Sequence, residues 1–254
     1  MSFSSRSDRK ELLDGEGIPF PAIEQNMREL DIINTFLGGH AISVSGLRKL
    51  TRGRRQLTLC EIGCGGGDNL RVLSRYCRRR RIDVQVTGID SNAHCIAVAR
   101  DNWQGGPASW VCSDYRQVLF ENGRPDIIFS SLFCHHFTDE ELVSQLHWME
   151  EHAGIGWFVN DLHRHPVAWY AIRQLTRWWS RSYLVKNDAP LSVLRGFTRG
   201  EWKELLRRAG VGHYSLQWKW AFRWLLVGHR AGAEEQVGKE EQVGRKEREG
   251  REAS

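Results

Sequence analysis

The residues able to do chemistry fall into three groups. The first is Leu59-Cys60-Glu61-Ile62-Gly63-Cys64-Gly65-Gly66-Gly67-Asp68, where glycines follow an apolar run. Glycines directly after a strand let the backbone turn sharply and approach a ligand closely, and the helix that follows presents its amino end. The second is Asp90, 27 residues beyond Gly63, where a carboxylate at the tip of the next strand accepts both hydroxyls of a ribose. The third comprises His135 and His136, with Asp161 and His163 further along, all at predicted carboxyl ends of strands. A histidine poised near neutrality suits removal of a proton from a hydroxyl. The same histidines equally suit a structural role capping the helix that opens near Asp139, and Asn160-Asp161 equally reads as a polar turn. The glycines do not complete the dinucleotide fingerprint, which needs glycine or alanine where Asp68 stands.

Elements that would position these residues are visible in the periodicity. Leu57 to Ile62, Val84 to Ile89, Trp110 to Cys112, Asp126 to Ser131 and Gly156 to Asn160 read as strands. Between them, Leu70 to Arg79, Ala93 to Asn102 and Asp139 to His152 read as helices, so the expectation is a doubly wound, mostly parallel α/β sheet. Thr198-Arg199-Gly200-Glu201 is a capping box opening a helix that Gly210 ends. Leu216, Trp218, Trp220, Phe222, Trp224 and Leu226 then alternate with polar residues, which predicts an antiparallel hairpin. Ile23 to Leu37 reads as a helix stopping at Gly38-Gly39, and the aromatic stretch 165–197 as an insertion over the carboxyl ends of the strands. Trp169 and Trp178 are its expected pocket walls, with core packing or a membrane-contacting face as the plainer readings. Residues 1–22 are expected to be a flexible segment, and 231–254 a disordered charged tail in which Glu-Glu-Gln-Val-Gly occurs twice.

The chain has 254 residues, 41% hydrophobic and 26% charged, which is enough for one catalytic domain over 23–230. No stretch has the apolar length of a membrane span, and the start is too polar for a signal peptide, so a cytoplasmic protein is expected. Six scattered cysteines lack the paired spacing of a zinc site or the density of a disulfide scaffold, and no metal is expected. The net charge of +5 suits an anionic partner without choosing one. Arg78 to Arg81 read as a solvated helix end before they read as a phosphate grip.

The pattern Glu-x-Gly-x-Gly-x-Gly resembles the first motif of class I S-adenosylmethionine-dependent methyltransferases, and the resemblance spans roughly Leu57 to His229. It implies a Rossmann-like fold, S-adenosyl-L-methionine as cofactor, and a cofactor site built from Glu61, Gly63, Cys64, Gly65, Gly67, Asp68, Asp90, Ser91, Asp114, Tyr115 and Ser130. In that family the glycine loop faces the methionine part, the acidic residue after the second strand holds the ribose, and one after the third contacts adenine. Base-methylating members carry Asn/Asp-Pro-Pro-aromatic after the fourth strand, where this chain has Ser130-Ser131-Leu132-Phe133. Ser131-Leu132-Phe133-Cys134-His135-His136-Phe137 is similar instead to the small-molecule branch, including ubiquinone/menaquinone-type and natural-product O-methyltransferases. That implies a phenolic, polyketide- or lipid-derived acceptor. RNA or protein as acceptor, and a binding protein without turnover, are the alternatives.

Overall fold

The computed structural model describes residues 3–15, 17–51, 53–120 and 123–230. Aliphatic and β-branched runs form five parallel strands: β1 (Gln56–Ile62), β2 (Asp83–Asp90), β3 (Ala108–Cys112), β4 (Ile127–Ser131) and β5 (Gly156–Leu162). All of β4 is buried, as a strand covered on both faces must be. The helices α3 (Asp68–Arg79), α4 (Ala93–Asp101) and α5 (Asp139–His152) return the chain between strands. A capping box starts α5: the Glu141 amide donates to the Thr138 hydroxyl, and the Thr138 amide donates to the Glu141 carboxylate at 2.8 Å. After α8 (Arg199–Arg208) the expected hairpin forms from β6 (Tyr214–Lys219) and β7 (Arg223–His229). The strand order is β3-β2-β1-β4-β5-β7-β6, with β7 antiparallel to both neighbours. This is the class I methyltransferase architecture. Winding reverses between β1 and β4, which opens a crevice at the carboxyl ends of the strands where the glycine loop lies.

Two apolar clusters sandwich the sheet. Trp157, Leu142, Leu146 and Trp202 fill one face. Leu47, Leu70, Phe129 and Phe158 fill the other, the two phenyl rings stacked at 4.7 Å. A third cluster joins α1 (Phe20–Phe36) to α6 (Pro166–Trp179) and α7 (Tyr183–Arg195) through Ile33, Trp169, Ile172 and Val185. These three helices roof the crevice. No helix among the described residues is long and apolar enough to cross a membrane.

The structure departs from the sequence reading at three places. Helix α1 ends at Phe36 with Gly38 in a left-handed turn at φ +75°, as expected, but Gly39 directly opens a second helix, α2 (Gly39–Leu50), that the sequence reading lacks. The aromatic insertion is two helices, with Trp169 buried and Trp178 exposed. The amino-terminal segment expected to be flexible is docked over residues 3–15: Arg6 pairs with Asp139 at 2.8 Å, and the Leu12 and Leu13 amides donate to the Asp188 carboxylate at 2.8 and 3.0 Å. Its polar composition reads as solvation until the buried partners that absorb it are known. The tail 231–254 lies outside the described residues.

Candidate functional site

The loop after β1 is built for close approach. Gly63, Gly65 and Gly67 all have positive φ, and a Cβ on Gly63 would stand 2.1 Å from the Phe133 ring. The Cys64 amide donates to Ile89 O at 3.0 Å, and the Gly65 amide to Asp90 Oδ2 at 2.9 Å, so the loop is tied to the end of β2. Asp90 Oδ1 accepts from the Asn92 amide at 2.9 Å. Burial raises the Asp90 pKa, and the Asn92 and Gly65 amides offset only part of the rise. Glu61 is buried with no partner for Oε2, and burial together with Asp68 and Asp90 pushes its pKa well up. At the start of α3, Asp68 accepts from His40 Nε2 at 2.7 Å and from Asn34 at 3.4 Å. Burial would raise Asp68, but these partners outweigh it and hold the carboxylate below its usual range.

A cleft of about 1620 Å³ runs from this loop under the helical roof. Glu61, Gly63, Cys64, Gly65, Asp68 and Asp90 line one end, and Ser91, Asp114 and Tyr115 continue that wall. Asp114 caps the turn Tyr115–Gln117 and holds the Arg116 guanidinium, which lowers its pKa. Two expected cofactor residues lie outside the lining. Gly67 packs where a Cβ would meet the Trp110 ring at 2.8 Å, and Ser130 is fully buried with its hydroxyl 3.4 Å from Cys134 Sγ. Ser131, whose side chain takes the opposite face of β4, lines the cleft in its place.

The four candidate proton-transfer residues separate. His135 is buried between two carboxylates, with Nδ1 2.8 Å from Asp161 and Nε2 3.5 Å from Glu11. Burial would lower its pKa, but Asp161 and Glu11 outweigh burial and hold it at about 9. Asp161 is likewise fully buried and absent from the cleft lining. His163 is outside the lining too, its Nδ1 accepting from Trp218 Nε1 at 3.1 Å. His136 is half-buried in the cleft wall, with Nδ1 3.1 Å from Asp14 and Nε2 3.8 Å from Glu11. Glu11, His135 and His136 bring three potential metal-ligating atoms within 4.8 Å of one another, with Nδ1 of His135 hydrogen-bonded to Asp161.

Several residues of this site escape sequence reasoning. Glu11 and Asp14 come from the docked amino-terminal strap. Arg195 clamps the histidine pair by donating to His135 O at 2.8 Å and to His136 O at 2.7 Å. Arg223 on β7 lines the cleft at 2% exposure, bonded to Asn34 at 3.0 Å while its Nε and Nη1 have no partner. The far wall is aliphatic: Val167, Ala168, Ala171, Ile172 and Leu175 of α6 face Met27, Leu30 and Leu37. Trp169 and Trp178, the expected walls, are not part of it: Trp169 is buried in the cluster with Ile33 and Val185, and Trp178 stands exposed beyond the lining.

Residues 59–153 match the family model of a methyltransferase domain. A search of curated protein sequences finds no match. Among solved structures, the plantazolicin methyltransferase BpumL with S-adenosylhomocysteine is similar at TM-score 0.61 and 16% identity, over 84% of this chain and 89% of that one. Human N-acetylserotonin methyltransferase with S-adenosylmethionine is similar at TM-score 0.60 and 15% identity, over 88% of this chain and 63% of that one. At such identities the likeness is one of fold.

Proposed function

We propose that the chain is a class I S-adenosylmethionine-dependent methyltransferase and that it methylates an oxygen of a small phenolic or lipid-like acceptor. The observation that carries this reading is the continuity of the cleft. At about 1620 Å³ it exceeds the usual volume of a single small-molecule site, with a polar glycine-loop end and an aliphatic end under α6.

The residues at the polar end fit the cofactor. Asp90 keeps lone pairs free of its two amide donors, which suits ribose hydroxyls. Glu61 Oε2, buried without a partner, suits a proton-bearing or cationic group at the methionine end. Under this reading Gly63, Cys64 and Gly65 border that end, while Ser91, Asp114 and Tyr115 border the adenine. When bound, the cofactor supplies a methyl group on a cationic sulfonium.

The chain's own part is to align the acceptor, exclude water and take a proton. Asp14, held below its usual pKa against burial by His136, is ionised and accepts the Nδ1–H of His136. That leaves the Nε2 lone pair for the acceptor hydroxyl. As the methyl group is transferred to the acceptor oxygen, the hydroxyl proton would end on Nε2 of His136. His135, already protonated at neutral pH, holds the strap rather than serving as the base. The aliphatic wall keeps water from the reacting atoms. Arg78–Arg81 are exposed at the end of α3 remote from the glycine loop, which gives no support to a nucleic-acid acceptor at this cleft.

The test is formation of S-adenosylhomocysteine from S-adenosylmethionine with a panel of alkylphenols, with the methylated oxygen identified by mass spectrometry. Turnover on phenols and none on RNA or peptides supports the reading. Cofactor binding with no turnover on any acceptor would make the chain a binding protein.

A further inference from the structure

The exposed rings and cations of α6 are not explained by the cleft. Val167, Ala171 and Trp178 stand on one line of the helix, at positions i, i+4 and i+11. Trp178 is 84% exposed and Tyr170 59%, for side chains that ordinarily bury their rings. Arg173 and Arg177, four residues apart, flank that line on one side, and Leu175, which reaches the cleft mouth, flanks it on the other. Arg181, Tyr183 and Lys186 continue the exposed surface into α7. No Asp or Glu occurs between Asp161 and Asp188 in the sequence. Among the described residues none of Arg173, Arg177, Arg181 and Lys186 forms an ion pair.

We propose that this face docks on the surface of an anionic lipid bilayer, with Trp178 among the headgroups and the four cations on lipid phosphates. Tryptophan and tyrosine settle at membrane interfaces because an apolar ring and a polar edge are both satisfied there. Unpaired Lys and Arg beside them add attraction to anionic lipid. Charge complementarity and the exposed rings would also suit RNA, but the aliphatic Val167 and Leu175 beside them match hydrocarbon and not bases. Their aliphatic line leads directly from Trp178 to the cleft mouth, where a bilayer supplies matching hydrocarbon. The proposal does not depend on which acceptor is methylated.

Full-length protein is mixed with vesicles of phosphatidylglycerol alone or phosphatidylcholine alone, and the bound fraction is read by co-sedimentation over a salt series. We expect binding to phosphatidylglycerol that weakens as salt rises, and far less binding to phosphatidylcholine. Arg173→Gln with Arg177→Gln lowers phosphatidylglycerol affinity roughly thirtyfold, the loss expected of two cations near a charged bilayer. Trp178→Ala weakens binding while leaving the salt dependence intact, because it removes insertion and not charge. Trp178 is exposed, so an unchanged melting temperature checks that this variant folds. Equal binding to both lipids, binding to neither, or variants that bind like the parent overturn the proposal. Preference for polyuridylate over phosphatidylglycerol also overturns it and assigns the face to RNA.

Discussion

His135 and His136 are neighbours in sequence with opposite environments, and the difference is set by which carboxylates reach them. His135 lies between Asp161 and Glu11, and its pKa is held at about 9 against an ordinary value of 6.5. A folded-state pKa above the unfolded one means stability that is fully present below about pH 6.5 and lost as pH rises through 9, on the order of 3 kcal/mol. Melting temperature should therefore fall between pH 6.5 and 9, and the double variant His135→Gln, Asp161→Asn should lack that fall. A melting curve series over this range checks it. His136→Gln should lower kcat at least tenfold with cofactor affinity unchanged, and His163→Gln should leave both near the parent values. Stopped-time assays paired with calorimetry separate the two. The four candidates were legible in the sequence as residues at strand ends. Which of them meets a carboxylate was not, because Glu11 and Asp14 lie more than 120 residues away along the chain and no local spacing announces them.

At the scale of elements, periodicity and caps carried most of the information. Thr138 with Glu141 and Thr198 with Glu201 mark helix starts that the structure reproduces, because each satisfies orphan backbone groups within four residues. By contrast α2 escaped notice. Its glycines argue for a turn, yet Gly46 is there for contact: a Cβ would stand 2.8 Å from the Phe158 ring beneath it. Gly46→Ala should destabilise the fold by about 1–3 kcal/mol through overpacking, measurable by urea unfolding. The aromatic insertion misled in another way, since tryptophan content suggested a pocket wall, whereas Ala171 lines the cleft and Trp178, further along the same line of the helix, stands exposed beyond it. In the glycine loop, Gly65→Val puts a β-branched residue at φ +49°, with Met27 Sδ only 3.3 Å from its Cβ. Cofactor affinity should drop at least tenfold in calorimetry while α3 and β1 keep their far-ultraviolet signature. Asp90→Ala should weaken the same binding, having lost the acceptor of the Gly65 amide as well as the ribose contacts.

For the whole molecule, the amino-terminal strap ties α7 to the segment that opens α5. Arg6 reaches Asp139 and lies 4.3 Å over the Phe197 ring, Glu11 accepts from Ser192 at 2.6 Å, and Asp188 receives the Leu12 and Leu13 amides. Deleting residues 1–15 should lower melting temperature and kcat together, because Asp14 and Glu11 leave with the strap and His136 loses its orientation. Truncation after Arg230 should change neither, since the lining of the cleft among the described residues is complete without the tail. Both truncations can be followed in one thermal-melting and turnover experiment. The strap bonds also close long loops, of 176 residues from Leu12 to Asp188 and 181 from Glu11 to Ser192. Closure of so long a loop waits on the emergence of its far end. On the ribosome, then, the strap is made well before the partners it docks against. A nascent chain paused before Asp188 already carries β1, its glycine loop and Asp90, but the wall that holds His136 has yet to be made.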